Sequence, residues 1–281
     1  PRRRHLLVAE PPRERALVLA RHPGDDAEPI GALSIAYIIA TTAVDLASEL
    51  ERKSEEEEFE RASIELMRSR AKLQPLKTNL PQVLASRLSR LADMVHERGE
   101  QVEALRYQMD AAAILRKTHR GHPKNAKILW SLVRVLNELG ALYSAQDKDK
   151  DALQTYEEAN ETAKGLPGEG ARTRLITMGN YAQLLGRLDK VKNARSIAQS
   201  AYVLAKKILE KKASEARIVE DTASAGLRYA RLLRARPGAK RGKARKVARA
   251  EQERLKSLAS PISNRGKRIR NGLVKLLKEL R

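Results

Sequence analysis

Two histidines, His119 and His122, stand three residues apart in "THRGHPKN", close enough for both imidazoles to reach one metal ion. A metal site needs further ligands, but no carboxylate flanks the pair closely and the chain contains no cysteine. Histidines beside a glycine and a proline are commonly loop residues that join two elements. We therefore interpret the pair as part of a connection and predict no metal site.

Two other stretches could bind ions. The segment "GLPGEG" at 165–170 is glycine-rich like a phosphate-binding loop, but it follows a predicted helix and lacks the Gly-Lys-Ser/Thr ending. The acidic run from Glu55 to Glu58 could bind a cation or a basic partner, yet a serine followed by acids also suits a helix start. The absence of cysteine excludes thiolate catalysis and disulfides. We expect a turn at 165–170, a helix start at the acidic run, and a non-enzymatic protein without a cofactor.

The elements that would position any site are predicted to be helical. Of the 281 residues 42% are apolar and 32% charged, aromatics are only 3%, and alternating β-branched runs are missing. Proline and glycine interrupt the chain near 21–29, 74–81, 119–125, 165–170, 234–242 and 259–266. The intervening stretches of roughly 40 to 50 residues are each long enough for two helices and a turn, which indicates a helical-hairpin array.

One hairpin shows a regular spacing of small and aromatic residues. In 137–160, Gly140 is followed three residues later by Tyr143, and after a polar break come Ala152 and Tyr156. Similar orders recur at 88–112, 175–202 and 222–248, with Gly179 and Gly226 in the place of Gly140, and with Gly99 and Gly186 in the predicted turns. A small residue lets the second helix approach the first, and the neighbouring aromatic ring fills the gap. Such hairpins must stack on their neighbours to bury their apolar faces.

This pattern resembles the tetratricopeptide repeat (TPR) family, in the long-repeat form of kinesin light chain and signalling ATPases. The resemblance covers roughly 82–258 and is best at 133–160, where Asp147 replaces the turn glycine. It implies an all-α, α-α superhelix of antiparallel hairpins that acts as a protein-interaction scaffold. A peptide or a helix of the partner would lie in the groove that the first helix of each hairpin lines.

The resemblance and the breaks together predict the organisation of the chain. We expect a basic, extended segment at 1–29, a divergent hairpin or cap at 30–81, repeats at 82–119, 125–166, 170–211 and 214–258, and a basic capping helix at 259–281. On that last helix the apolar residues share one face: Ile269, Leu273, Leu276, Leu277 and Leu280. The apolar stretch 30–47 reaches Asp45 before the about 20 apolar residues of a membrane span are complete, so we expect a buried solenoid helix.

The family register points to twelve groove residues of mixed charge. They are Arg90, Asp93, His96, Arg134, Asn137, Glu138, Thr177, Asn180, Gln183, Glu220, Ser224 and Arg231. The mixture indicates a hydrogen-bonding groove. The Lys/Asn set with which some family members grip a terminal carboxylate is not reproduced, so we do not assign that ligand.

The net charge of +21 is concentrated near the C-terminal end. Residues 228–281 carry 19 Lys and Arg against three acids, while 1–22 carry six Arg against two Glu. The predicted anion-binding patch consists of Lys240, Arg241, Lys243, Arg245, Lys246, Arg249, Arg265, Lys267, Arg268 and Arg270. Nucleic acid would bind it through phosphates, since no aromatic residue follows Arg231 to stack on bases. An acidic protein, an anionic membrane surface or plain solvation of the helix faces would fit equally.

Three functions follow from these observations. The first is a protein-interaction scaffold or assembly subunit that binds a peptide or helix in a TPR groove. The second is a nucleic-acid or ribonucleoprotein component that uses the basic patch. The third is a regulatory repeat region of a larger multidomain protein. The absence of cysteine is compatible with a reducing, intracellular compartment.

Overall fold

The computed structural model describes residues 29–73, 79–212, 215–235, 240–258 and 261–280. The basic segment predicted at 1–29 lies outside these residues, except for Pro29. Within the described ranges the chain forms eleven α-helices and one short 3-10 helix, and no strand occurs. The all-α fold expected from the composition is confirmed.

The chain divides into two compact units, of which the first extends to Val135. Its helices are α1 (Pro29–Glu49), α2 (Lys53–Leu73), α3 (Asn79–Glu97), α4 (Gln101–Gly121) and the first half of α5 (Ala126–Ala145). Helix α1 packs on α2, α2 on α3, and α3 on α4. The unit is therefore built from consecutive antiparallel helices.

Helix α1 contains the apolar stretch that was predicted to be buried. One face is buried against α2, with Leu33, Ala36 and Ala40 at helical spacing. The opposite face is not buried, because Ile35 and Ile38 are 60% and 61% exposed. Among the described residues, no helix combines the length and the apolarity that a membrane crossing requires.

The second unit begins at Leu136. It contains the second half of α5, then α6 (Asp149–Ala163), a 3-10 turn (Gly168–Gly170), α7 (Ala171–Arg187), α8 (Val191–Lys211), α9 (Ala216–Arg234), α10 (Arg241–Lys256) and α11 (Asn264–Glu279). From α6 to α11 consecutive helices pack on one another. Small residues such as Ala198, Ala223 and Ala230 are fully buried at the contacts. The 3-10 turn lies within "GLPGEG", the segment predicted to be a turn.

Among the described residues, four helix-to-helix turns share one backbone conformation. A left-handed residue follows the first helix in each: Glu51, Gly99, Asp147 and Asp189. The next amide donates to the carbonyl five residues back, at 2.8 Å from Arg52 to Ala47 and at 3.0 Å from Lys148 to Tyr143. This bond satisfies a carbonyl that the helix end would leave free. Asp147 thus adopts the conformation of the glycine that it replaces.

The turn at Asp189 corrects a prediction. Gly186, assigned to the turn from the sequence, lies inside α7, and the left-handed residue is Asp189. A Cβ added at Gly186 would lie 3.3 Å from Leu232 Cδ2, so this glycine is at a contact with α9. The limits of the repeats themselves stay a prediction.

Two glycines lie where paired helices meet, as the spacing predicted. A Cβ added at Gly140 would lie 3.0 Å from Tyr156 Cε1 on α6, and one at Gly226 would lie 2.5 Å from Glu251 Cγ on α10. Non-bonded carbon atoms are normally about 3.5–4.0 Å apart. Neither site has room for a methyl group unless a buried neighbour moves.

Gly179 differs from this expectation. A Cβ there would lie 2.4 Å from Nη1 of Arg228 on α9, rather than against the paired helix α8. The missing side chain therefore makes room for a guanidinium between two first helices.

The last helix packs as the apolar spacing predicted. Ile269, Leu273, Leu276 and Leu280 are buried, and Leu277 packs partly against the same core. The Ser263 hydroxyl accepts a hydrogen bond from the Gly266 amide and caps the start of α11. Helix α11 contacts both α9 and α10.

Candidate binding grooves

A groove of about 800 Å³ runs between α3 and the start of α5 in the first unit. The sequence-predicted residues Arg90, Asp93 and Arg134 all line it. Beside them Trp130 is 45% exposed and supplies the large aromatic surface among the residues lining the groove. His96 is exposed on α3 but is not among the lining residues.

Acidic residues of α2 hold the arginines of this groove in place. Arg90 donates to Glu56 at 2.8 Å, and Arg87 donates to Glu60 at 2.9 Å. Glu60 is fully buried, and burial raises its pKa although Arg87 and Arg90 oppose the shift. Positive groups thus face the groove while their negative partners lie behind them.

The second unit contains two grooves that share Gln183. One of about 430 Å³ lies between α5 and α7 and is lined by Asn180, Gln183 and Arg187. The other, of about 400 Å³, lies between α7 and α9 and is lined by Gln183, Ser224 and Arg231. The structure therefore brings together Asn180 with Gln183, and Gln183 with Ser224 and Arg231.

Tyr156 forms part of the wall of the groove between α5 and α7. Its ring packs against Gly140, and burial raises the pKa of its hydroxyl to about 12. Tyr156 therefore stays neutral at physiological pH and contributes an uncharged surface.

Three predicted groove residues are buried instead of facing a groove. Asn137 donates through Nδ2 to Thr177 Oγ1 at 2.7 Å. Glu220 accepts from the Ser263 amide at 2.8 Å and from its hydroxyl at 2.7 Å. These side chains connect helices within the unit, so they are not available to a ligand in this conformation. Glu138 is half-buried on α5 and lines none of the three grooves.

No protein-family model matches the chain, and no curated protein matches it significantly in sequence. Solved structures do match. BtubC (BKLC) from P. vanneervenii is 19% identical with a TM-score of 0.57, over 93% of this chain and 88% of that one. The TPR-like repeats of a putative kinesin light chain from Podosopora anserina are 18% identical with a TM-score of 0.52, over 76% and 93%.

A third similar structure is a STAND signal-transduction ATPase with a tetratricopeptide repeat sensor, from Pyrococcus horikoshii. It is 16% identical with a TM-score of 0.60, and the match covers 96% of this chain and 41% of that one. The chain has the TPR-like repeat fold. At these identities the likeness establishes the fold alone, and the role of a regulatory region in a larger protein stays a prediction.

In this TPR-like chain the predicted basic patch lies on α10, on the residue preceding it, and on α11. Two of its ten cations are bonded within the unit: Arg265 donates to Asp221 at 2.6 Å, and Arg245 donates to the Leu280 carbonyl. Lys243 lies over the Tyr229 ring, 5.7 Å from its centroid. The other seven are exposed: Lys240, Arg241, Lys246, Arg249, Lys267, Arg268 and Arg270. Nucleic-acid binding by this patch stays a prediction.

Trp130 and Arg228 are among the groove residues that the sequence analysis missed. Trp130 is the only tryptophan of the chain and lies four residues before Arg134 on the same helix, so it shares the face of a predicted residue. Arg228 lies four residues after Ser224 and three before Arg231. Helical spacing from the residues already chosen could have found both.

Among the described residues, no group of three or more His, Cys, Asp and Glu side chains comes together as metal ligands would. Of the two histidines considered first, His119 belongs to the last turn of α4 and His122 follows its end.

Proposed function

We propose that this TPR-like chain is a non-enzymatic scaffold that binds a peptide or a helix of a partner protein along its first helices. The observation that carries the proposal is the setting of Trp130. It is exposed in a groove whose arginines are already oriented by acids of the neighbouring helix. Tryptophan and arginine are the residue types that contribute most to binding energy at protein interfaces.

The remaining groove chemistry also suits a polypeptide. Asn180 and Gln183 offer amides that can both donate and accept hydrogen bonds, whereas the Gln82 amide already donates to the Ser131 hydroxyl at 3.0 Å. A bound main chain presents one donor and one acceptor per residue and needs such partners. Because Arg90 is bonded to Glu56, binding costs less side-chain entropy than it would with a free arginine.

Trp130 provides the test of this proposal because it is the chain's only tryptophan. Peptides selected by display on the whole chain are titrated while tryptophan emission is recorded. We expect the emission to shift on binding. Trp130→Ala should weaken the affinity for a labelled peptide by about 30-fold or more, as at interface hot spots. Lys117→Ala, an exposed change on α4, serves as the control and should leave the affinity unchanged.

Some selected peptides could bind the grooves of the second unit, where Trp130 does not report. For these, Gln183→Arg places a bulky charge between both second-unit grooves and should abolish binding. The proposal would be overturned if the selected peptides kept their affinity for the double variant Trp130→Ala, Gln183→Arg.

A further inference from the structure

Helix α9 presents three polar residues to the groove that it forms with α7. Ser224, Arg228 and Arg231 follow at intervals of four and three, so they lie on one helix face, and Gln183 of α7 lies opposite them. We call these four residues the arginine groove. Arg231 is exposed, whereas Arg228 is partly buried.

Arg228 is held in place by packing. Its Nη1 atom would lie 2.4 Å from a Cβ added at Gly179, so the guanidinium lies directly against the backbone of α7. Only glycine leaves this room. The arginine groove therefore has a fixed guanidinium on one wall.

The neighbouring charges are paired, but those of the arginine groove are not. Arg172 and Arg265 both bond to Asp221, at 2.7 Å and 2.6 Å, and Glu220 is engaged by Ser263. Within the part of the chain that the structure describes, no hydrogen bond or ion pair joins Arg228 or Arg231 to a carboxylate. The local electrostatics agree, since burial and then the charges of Arg265 and Arg231 lower the pKa of Arg228.

We infer that the arginine groove binds a phosphoryl group carried by a segment of the protein partner. Two guanidinium groups without acids match the roughly two negative charges of a phosphate monoester. Its three free oxygens can accept from both forks, and from the Ser224 hydroxyl and the Gln183 amide. A single carboxylate would leave one of the two arginines unmatched. This inference rests on the proposed function for the segment that carries the group.

The first experiment uses inorganic phosphate on the whole chain, with acetate at matched ionic strength as the monoanion. Arginine Nε–Hε resonances are recorded by NMR and assigned through R228K and R231K. We expect phosphate, but not acetate, to shift the signals of Arg228 and Arg231 in a saturable manner. Arg231→Gln should abolish the response, while Lys207→Gln, which removes one exposed charge on α8 outside both the groove and the basic patch, should preserve it.

Arg228→Gln should likewise abolish the response and leave the protein at least as stable as wild type, because it removes a partly buried cation without an acid partner. Gly179→Ala tests the geometry separately, since its Cβ must displace the guanidinium. Equal shifts with acetate and phosphate would overturn the inference. It would also be overturned if the Arg231 signal still responded to phosphate in Arg228→Gln and the Arg228 signal still responded in Arg231→Gln.

The second experiment uses one display-selected peptide of the second-unit grooves, with serine, glutamate or phosphoserine at a single position. We expect the phosphoserine form to bind about tenfold tighter than the other two, and Arg231→Gln to remove the difference. If the peptides bind but phosphorylation has no effect, the inference fails and the proposed function stands. If no peptide binds while phosphate shifts the arginines, the proposed function fails instead. Tighter binding of an oligonucleotide than of the phosphopeptide would overturn the assignment of the partner.

Discussion

Replacing Gly226 with alanine tests whether glycine is required where the paired helices meet. The new Cβ would lie 2.5 Å from Glu251 Cγ and 3.1 Å from Tyr202 Cε2. Glu251 is fully buried, accepts a hydrogen bond from the Tyr202 hydroxyl at 2.6 Å and pairs with Arg254. It cannot move aside by about 1 Å without weakening these bonds.

The size of the effect follows from three contributions. Overpacking of a core costs about 1–3 kcal/mol. Loss of a hydrogen bond to a charged group adds about 1.5–3 kcal/mol if Glu251 is displaced. The better helix propensity of alanine offsets about 1 kcal/mol of this destabilisation. We therefore expect Gly226→Ala, with Glu251 displaced, to lower the free energy of unfolding by roughly 1.5–5 kcal/mol.

Urea unfolding followed by circular dichroism measures this difference on the whole chain. Gly242→Ala is the matched control, because a Cβ at Gly242 on α10 would meet nothing within 4 Å. It should be neutral or stabilising by up to about 1 kcal/mol. If Gly226→Ala is as stable as Gly242→Ala, glycine is not needed for helix approach and the packing account is refuted.

Two further predictions concern the core and pH. Leu273→Ala on α11 should cost about 2–5 kcal/mol in urea unfolding, since the side chain is fully buried, whereas Val203→Ala, 43% exposed, should cost about 0.5 kcal/mol or less. Burial raises the pKa of Glu60, so the folded chain binds a proton at this carboxylate more tightly than the unfolded chain does. The stability gained in this way is present below pH 4.5 and is lost as the pH rises through the raised pKa. The Glu60→Gln variant does not lose this stability. The difference in free energy of unfolding between Glu60→Gln and wild type should therefore rise between pH 4.5 and neutral pH. A difference that stays flat or falls would contradict a raised pKa at Glu60.

The fold was predictable because its strongest determinants are local in sequence. The spacing of Gly140 and Tyr156 reflects two adjacent helices joined by a short turn, and the structure places these residues in contact. The turn at Asp147 was identified by comparison with Gly99, and both residues adopt the left-handed conformation. Short-range patterns of this kind carry their own geometry.

The groove was less predictable because the partners of its polar residues are distant in sequence. Glu220 fits the groove register, but its carboxylate accepts a hydrogen bond from the hydroxyl of Ser263, 43 residues later. Asn137 and Thr177, 40 residues apart, are joined in the interior by one hydrogen bond, from Asn137 Nδ2 to Thr177 Oγ1. Periodicity identifies the helix face on which a residue lies, but it does not identify which polar side chains find internal partners. The contact between Gly179 and Arg228 joins two first helices and could not be inferred from one hairpin.

The groove account is tested most directly by locating the bound partner. A photo-crosslinking amino acid is placed at Gln183, exposed on α7 between the two second-unit grooves, and in a second protein at Lys207, exposed on the second helix α8. The peptide is a display-selected one whose binding Gln183→Arg abolishes. The account predicts that it forms adducts with position 183 and none with position 207. Adducts from position 207 alone would place the partner on the second helices and contradict the account.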